Sequence, residues 1–242
     1  MKYIKELLEE LNLRYPFELA EKWDNIGLLV GSLTNPINDI FVSLDITTSM
    51  LKDIPNGSTL ITHHPLIFNP LKKVDFDSYH GKIIKELIKK DITYIVLHTN
   101  YDKSFLNKYF IETVLKKELY SGEDFIDYCI VPDQSLGEFR QFLASSMNCL
   151  TRELNIVGNK EEIIRMVAVC TGSGSSSFKT AKAKGANVLI TGDITYHTAM
   201  EAKELGMNLI DITHYHSEKW FGDDLVIDMN ATKLDSGNPF EE

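Results

Sequence analysis

The segment Leu60–Phe68, LITHHPLIF, has the pattern of a short buried β-strand that ends at two adjacent histidines and a proline. Neighbouring side chains within a strand point to opposite faces of the sheet. His63 and His64 can therefore converge only where the strand has ended and the backbone turns, and Pro65 marks that turn. The segment predicts that each histidine binds one of two closely spaced metal ions. The alternative, a hydrogen-bonded core histidine beside an exposed one, stays equally open on this segment alone.

Strands and helices alternate on both sides of this segment. The segments that begin as strands are 39–46, 58–62, 92–102, 163–177, 187–197 and 207–218. The predicted helices are 3–13, 47–54, 80–90, 139–148, 177–185 and 198–206. This alternation predicts βαβ units and mostly parallel sheets, in which ligands bind beyond the carboxyl ends of the strands. The segment 121–158 is less regular.

The two halves of the chain share this order, which indicates an internal duplication. We expect a first α/β lobe over residues 1–120 and a second over residues 121–242. The matched positions are Leu60–Thr62 with Leu189–Thr191, Lys85–Leu87 with Lys203–Leu205, and, after a two-residue gap, His98 with His214 and Asp102 with Glu218.

Five of the seven histidines, with two carboxylates, lie at or just beyond the predicted strand ends. A histidine and an acid four residues apart face the same side of a helical turn, and imidazole with carboxylate suits Zn, Mn or Fe. A single pair of this kind is weak evidence, but the whole set favours a metal site. The residues are His63, His64, His98, His197, His214, Asp102 and Glu218.

Composition excludes several classes of function. The formal net charge is −10, so general nucleic-acid binding is disfavoured. The three cysteines contain no CxxC pair, so we expect neither a disulfide framework nor a cysteine zinc site, and a reducing compartment fits. The N-terminal residues are charged throughout and no apolar run reaches the length of a membrane span. We expect a cytoplasmic protein that does not bind membranes.

Five motifs carry a specific resemblance. WDNIGLLVG at 23–31, THHPLIF at 62–68, HTNYD at 98–102, TGDITYH at 191–197 and HYHSE at 214–218 occur in this order. The chain resembles the NIF-three-like proteins, whose relatives carry the label GTP cyclohydrolase 1 type 2 homolog. The resemblance implies two interlinked α/β lobes of similar topology with a dinuclear metal site between them, and a homohexamer. The chain is too short for the inserted middle domain of longer members.

The resemblance also assigns roles to residues. It implies that two divalent ions, Zn, Fe or Mn, are bound by His63, His64, Asp102, His214 and Glu218. It places His98 and His197 beside the ions, as candidate catalytic residues. Two positions depart from the last family motif: Thr213 replaces a glycine, and His216 is an additional histidine.

Two functions follow from these expectations. The first is a dinuclear metal-dependent hydrolase with a small-molecule substrate: GTP, whose guanine imidazole ring would be opened by water, or another nucleotide or phosphoester. The second is a non-catalytic metal-dependent scaffold or regulator that acts through partner binding.

Two further motifs leave alternatives open. The loop TGSGSSS at 171–177 either cradles an anion or forms a plain tight turn. The motif WDN at 23–25 either lines a pocket or packs its tryptophan in the core.

Overall fold

The structure is a computed structural model that describes residues 2–240; Met1 and the pair Glu241 and Glu242 lie outside the described residues. The strands are β1 Gly27–Val30, β2 Ile40–Ser43, β3 Thr59–Thr62, β4 Thr93–Val96, β5 Leu119–Glu123, β6 Ile126–Ser135, β7 Asn155–Val157, β8 Ile163–Val169, β9 Val188–Thr191, β10 Asn208–Asp211 and β11 Thr232–Lys233. The helices are α1 Ile4–Arg14, α2 Met50–Asp53, α3 Tyr79–Lys89, α4 Thr99–Tyr101, α5 Asn107–Tyr109, α6 Leu136–Met147, α7 Phe178–Ala183, α8 Tyr196–Glu204, α9 His214–Glu218 and α10 Asp223–Met229. Within the described residues, none of these helices combines the length and apolar character that crossing a membrane requires.

The chain forms two compact units. Among the described residues, the first comprises 2–104 and 221–240, and the second comprises Phe105–Trp220. This division differs from the expected boundary between residues 120 and 121, because the chain leaves the first unit earlier and returns to it at its end. The return follows from β11, which pairs in parallel with β2 of the first unit. Pairing between strands so distant in sequence leaves no local pattern to detect.

The first unit contains a five-stranded sheet in the order β1-β4-β3-β2-β11. Its strands are parallel except β1, which is antiparallel to β4. Every residue of β3 and β4 is buried. Helix α3 buries Ile83, Ile84 and Leu87 in the core that lies beside these strands, as its apolar spacing predicts.

The second unit contains a six-stranded sheet in the order β5-β6-β8-β9-β10-β7. Strands β8, β9 and β10 are parallel, and the other pairs are antiparallel. Val188 and Ile190 of β9 belong to one core cluster, whereas Leu189 belongs to another. Because successive side chains of a strand face opposite sides, this sheet is covered on both faces, as parallel sheets usually are.

The two sheets repeat one topology, which confirms the predicted mixed α/β fold with lobes of similar topology. The order β2-β3-β4 in the first unit corresponds to β8-β9-β10 in the second. In each unit an antiparallel strand lies beside the last of these three, β1 beside β4 and β7 beside β10. The duplication therefore includes one edge strand that local sequence matches did not reveal.

Candidate metal centre

Three of the predicted site histidines lie together in the first unit, where β3 and β4 end. His63 and His64 follow β3, and His98 follows β4. Each of the three offers a ring nitrogen, and these nitrogens lie within 4.8 Å of one another. The ring centroid of His63 lies 5.1 Å from that of His64 and 5.1 Å from that of His98. We call these three residues the histidine cluster.

Each ring of the histidine cluster is oriented by a hydrogen bond from Nδ1. His63 donates to the carbonyl oxygen of Leu97 at 2.9 Å, and His64 donates to Oδ1 of Asp45 at 2.9 Å. His98 donates to Oδ1 of Asp24 at 2.8 Å. A proton held on Nδ1 makes Nε2 the nitrogen that can bind a metal, and such outer partners typically fix the rings of metal-binding histidines.

Asp102 adds a carboxylate to the histidine cluster. Its Oδ1 lies 3.4 Å from Nε2 of His63, and the residue is buried. Asp102 begins a π-helical segment, Asp102–Leu106, and wide helical turns of this kind occur often at functional sites. The carboxylate therefore faces a neighbouring histidine of the cluster, and His98, four residues earlier, pairs with Asp24 instead.

Asp24 is a buried carboxylate held by four hydrogen bonds. It accepts from Nδ1 of His98, from the N–H and the hydroxyl of Thr99, and from the N–H of Asn25. Burial opposes its ionisation, but the bonds from His98 and Thr99 outweigh burial and lower the pKa of Asp24 to about 2. Asp24 is therefore a fixed negative charge behind the His98 ring.

Trp23 is exposed beside the histidine cluster, so of the two alternatives for WDN the core tryptophan is excluded. The residue is 57% exposed. The ring centroid of Trp23 lies 5.7 Å from that of Phe68, which is also exposed, and 6.3 Å from that of His98. The two aromatic rings form an open apolar surface next to the polar cluster.

The second unit carries the predicted pair His214 and Glu218 on one turn of α9. Nε2 of His214 lies 3.0 Å from Oε2 of Glu218, and Nδ1 of His214 donates to Oδ2 of Asp193 at 2.6 Å. The side chain of His214 is 35% exposed, whereas that of Glu218 is 3% exposed. We call these two residues the His214–Glu218 pair. Its histidine is oriented through Nδ1 in the same way as the histidine cluster.

Two glycines leave room for the His214–Glu218 pair. A Cβ on Gly172 would lie 2.3 Å from Oε1 of Glu218, and a Cβ on Gly192 would lie 2.8 Å from the backbone nitrogen of His214. The N–H of Gly172 donates to Oγ of Ser217 at 2.9 Å. The loop at 171–177 thus supports α9 through a backbone N–H, which favours the turn interpretation over an anion cradle.

Thr213 and His216, the two residues that depart from the last family motif, contact each other. Thr213 has a φ of +62°, a backbone region that favours glycine. Its hydroxyl oxygen lies 3.0 Å from Nδ1 of His216 and accepts from the N–H of His216. Thr213 therefore caps the N-terminus of α9 by accepting from the N–H of His216, and this hydrogen bond offsets part of the backbone strain at Thr213.

His197 is placed differently from the other predicted site residues. It is exposed in the first turn of α8, with its ring 5.5 Å from the ring of Tyr196. Among residues 2–240, the groups of three or more potential metal-ligand atoms do not include it. Its catalytic role stays a prediction.

The residues of both units fit divalent metal ions. Imidazole nitrogens and buried carboxylates are the donors that Zn, Mn and Fe accept. Buried charges require compensation, and Asp102 and Glu218 are both buried. Because Gly172 has no side chain, Oε1 of Glu218 can lie beside it. A larger residue at this position would displace that oxygen.

Sequence reasoning missed the three acids that orient the histidines: Asp24, Asp45 and Asp193. Asp45 and Asp193 each follow a parallel strand, β2 and β9, by two residues. The rule that ligands gather beyond strand ends would have found these two. Asp24 lies before β1 and carries no such signal.

The chain belongs to the Duf34/NIF3 (NGG1p interacting factor 3) family, whose model matches residues 2–239. A relative from Helicobacter pylori, strain J99, named GTP cyclohydrolase 1 type 2, is 41% identical over 222 residues, which cover 91% of this chain and 89% of the relative. A Campylobacter jejuni protein named GTP cyclohydrolase 1 type 2 homolog is 34% identical and covers 98% of both chains.

A solved structure shares the fold of this chain. The crystal structure of a hypothetical protein from Staphylococcus aureus matches with a TM-score of 0.85 at 25% identity and covers 99% of both chains. The family model over residues 2–239 confirms the family recognised from the five motifs.

Proposed function

We propose that the chain is a metal-dependent hydrolase that binds two divalent ions, Zn, Fe or Mn. The ligands are His63, His64 and Asp102 in the first unit and His214 and Glu218 in the second. One observation carries the proposal: in both units, histidines donate from Nδ1 to an oxygen acceptor, which makes Nε2 the metal-binding atom. A buried carboxylate lies beside a histidine in each unit.

Bound divalent ions would supply a water of lowered pKa and polarise the substrate. His98 is the residue of this chain best placed to move a proton at Nε2. Asp24 holds its Nδ1 proton and stabilises the imidazolium that forms when Nε2 takes up a second proton, as the aspartate of a catalytic triad does. His197 is the second candidate, on the family resemblance.

The proposed substrate is GTP, with water opening the guanine imidazole ring and formate released, or another nucleotide or phosphoester. Two observations support a purine nucleotide. The Helicobacter pylori relative is named GTP cyclohydrolase 1 type 2. The exposed rings of Trp23 and Phe68 offer a stacking surface beside His98, and stacking of a base on an aromatic ring contributes about 1–3 kcal/mol in nucleic-acid complexes.

The deciding experiment is an assay panel on metal-loaded protein, with GTP, other nucleotides and generic phosphodiesters, each with and without chelator. Turnover that disappears with chelator and in Glu218→Gln supports the hydrolase. Glu204→Gln, an exposed glutamate of the same unit, is the matched control and keeps full activity. Two bound ions without any turnover would contradict the hydrolase and leave the scaffold function.

Two variants separate metal binding from proton transfer. Glu218→Gln keeps the volume but removes the charge, so it loses or weakens one ion. His98→Ala keeps both ions and lowers turnover by roughly 10²–10⁴-fold, the range for a lost general acid or base. Elemental analysis beside the rate measurement distinguishes them. If His98→Ala strips an ion while Glu218→Gln retains both, the assigned roles are reversed.

We also propose a cytoplasmic homohexamer, on the family resemblance alone. Light scattering of the purified chain at micromolar concentration decides the assembly. A particle near 27.5 kDa would be a monomer and would contradict it.

A further inference from the structure

A second group of potential metal ligands lies within the second unit, away from the predicted site residues. Cys149, Glu153 and His216 each offer one ligand atom, and these atoms lie within 4.8 Å of one another. Cys149 lies just beyond the end of α6, Glu153 ends the 3-10 turn Thr151–Glu153, and His216 lies in α9. Three separate segments of one unit thus bring a sulfur, an oxygen and a nitrogen donor together.

The backbone that carries the thiol and the carboxylate is held by hydrogen bonds. Asn148 adopts a left-handed conformation that ends α6, and the N–H of Cys149 then donates to the carbonyl of Ala144 at 3.0 Å. The carboxylate of Glu153 accepts from the N–H of Leu150 at 3.2 Å. Both donors are therefore fixed near the C-terminal end of α6.

His216 is oriented from the other side. Its Nδ1 lies 3.0 Å from the hydroxyl of Thr213, so Nε2 is the nitrogen assigned to a metal. Two residues along a helix correspond to about 200° of rotation, so His216 faces away from His214. The same helix therefore presents one histidine to the His214–Glu218 pair and another to Cys149 and Glu153.

We propose that Cys149, Glu153 and His216 form a mononuclear site for a thiophilic divalent transition metal of the Zn²⁺ class. Thiolate, carboxylate and imidazole are three ligands that tetrahedral Zn²⁺ accepts, with water in the fourth position. Glu153 is exposed and Cys149 is partly buried, so the metal and its water can enter from solvent. Binding forms the metal–sulfur bond and releases the thiol proton to solvent.

The site goes beyond the proposed function and does not depend on it. It would join the end of α6 to α9, the helix that carries His214 and Glu218. Its occupancy would therefore fix the orientation of that helix whether or not the chain is a hydrolase. The sequence pattern predicted no cysteine zinc site, because Cys149 and His216 are far apart along the chain and no CxxC pair is present.

Cobalt substitution tests the site on the full-length chain. A thiolate bound to Co²⁺ gives a sulfur-to-metal charge-transfer absorption that imidazole and carboxylate ligands cannot give. We expect this band in the unmodified chain and in the double variant His214→Ala, Glu218→Gln, and its loss in Cys149→Ser. Absence of the band in the unmodified chain at saturating Co²⁺ overturns the proposal, whereas loss of turnover in the double variant bears only on the hydrolase.

Thiol protection gives an independent measurement. Cys129 and Cys170 are buried, so Cys149 is the thiol that an alkylating reagent reaches first. Zn²⁺ should slow its alkylation at least tenfold. Glu153→Gln should raise the Zn²⁺ concentration needed for protection by at least about 10–100-fold, the range seen for residues that support metal ligands. Glu161→Gln, another exposed glutamate of this unit, should leave it unchanged. Equal alkylation rates with and without Zn²⁺ would overturn the proposal.

Discussion

The histidine cluster and the His214–Glu218 pair share a spacing but differ in their contacts. His98 and Asp102 are four residues apart, as are His214 and Glu218. In the second unit the histidine faces the acid of its own pair at 3.0 Å. In the first unit Asp102 faces His63, and His98 is bonded to Asp24.

This difference shows which part of the duplication was retained. The strand order and the antiparallel edge strand repeat in both units. The histidines of both units donate from Nδ1 to an oxygen, but the contact between the histidine and the acid of each pair does not repeat. Equal spacing in two halves of a chain therefore predicts equal backbone positions, and it does not predict equal ligand partners.

The two regions also differ in how they are supported. His63 is fully buried and its ring packs against those of Tyr101 and Phe221. His214 lies on a five-residue helix and its side chain is 35% exposed. The first region is part of a core, whereas the second depends on a loop and two glycines.

The largest expected effect comes from removing the core histidine. In chelator-treated protein, His63→Ala should lower the free energy of unfolding by about 3 kcal/mol, because it leaves a cavity and the Leu97 carbonyl loses a donor. His214→Ala should cost about 1 kcal/mol or less. Urea unfolding followed by tryptophan fluorescence checks this, since Trp23 and Trp220 lie in different units. Equal losses would remove the distinction between the regions.

The glycine support of the His214–Glu218 pair is tested by Gly172→Ala. The new Cβ would displace Glu218, so the affinity for one metal ion should fall by about 10–100-fold. The left-handed backbone adds about 1–2 kcal/mol of destabilisation. Gly185→Ala is the matched control, because Gly185 also has a positive φ but nothing lies within 4 Å of its added Cβ. Metal titration should separate the variants, and equal affinity in both would show that Gly172 does not position Glu218.

Substitutions of the acids that orient the histidines should lower metal affinity without the added backbone destabilisation of Gly172→Ala. Asp193→Asn should lower the affinity for one ion toward the 100-fold end of the usual range, and Asp45→Asn toward the tenfold end. The reason is that the side chain of His214 is 35% exposed and that of His64 is 24% exposed, so burial restrains the ring of His214 less. Isothermal titration with Zn²⁺ measures both, with Asp53→Asn as a surface control. A larger loss for Asp45→Asn would reverse this order.

The smallest effect concerns two acids with opposite pKa shifts. Asp24 has a pKa of about 2, so its contribution to stability is present above about pH 4 and is lost as the pH falls toward 2. Burial raises the pKa of Asp127 in the second unit to about 6, so its ionisation destabilises the fold as the pH rises through 6. Asp127→Asn should therefore stabilise the protein by about 1 kcal/mol near pH 8, and not near pH 4. Thermal unfolding at the two pH values checks the sign.

The sequence predicted the elements whose signals are local. Buried strands such as β3 and β9, and amphipathic helices such as α3, have apolar patterns of their own. The expected irregular segment 121–158 instead contains all of β6 and all of β7. Both pair antiparallel with distant strands, β8 and β10, and a pairing partner leaves no mark on the local pattern.

For the candidate site, too, the sequence predicted the features that have a local signal and not the contacts between distant residues. His63 and His64 were found because a buried strand ends at them. The local pattern did not predict the contact between Asp102 and His63, because it depends on how two strand ends meet in space; only the family resemblance placed both residues in one ligand set. The bond from His98 to Asp24 spans 74 positions of sequence, and no periodicity extends that far.

The position of β11 has a consequence for synthesis on the ribosome. Residues 2–104 emerge before the whole second unit, and β11 emerges after it. Until then β2 is an edge strand of the nascent chain, with unpaired backbone groups that invite aggregation. The ring of Phe221, 5.0 Å from that of His63, also arrives late. The six strands of the second unit are contiguous in the chain, so translation can complete its sheet first, and the unfinished first sheet is the part that chaperones would need to protect.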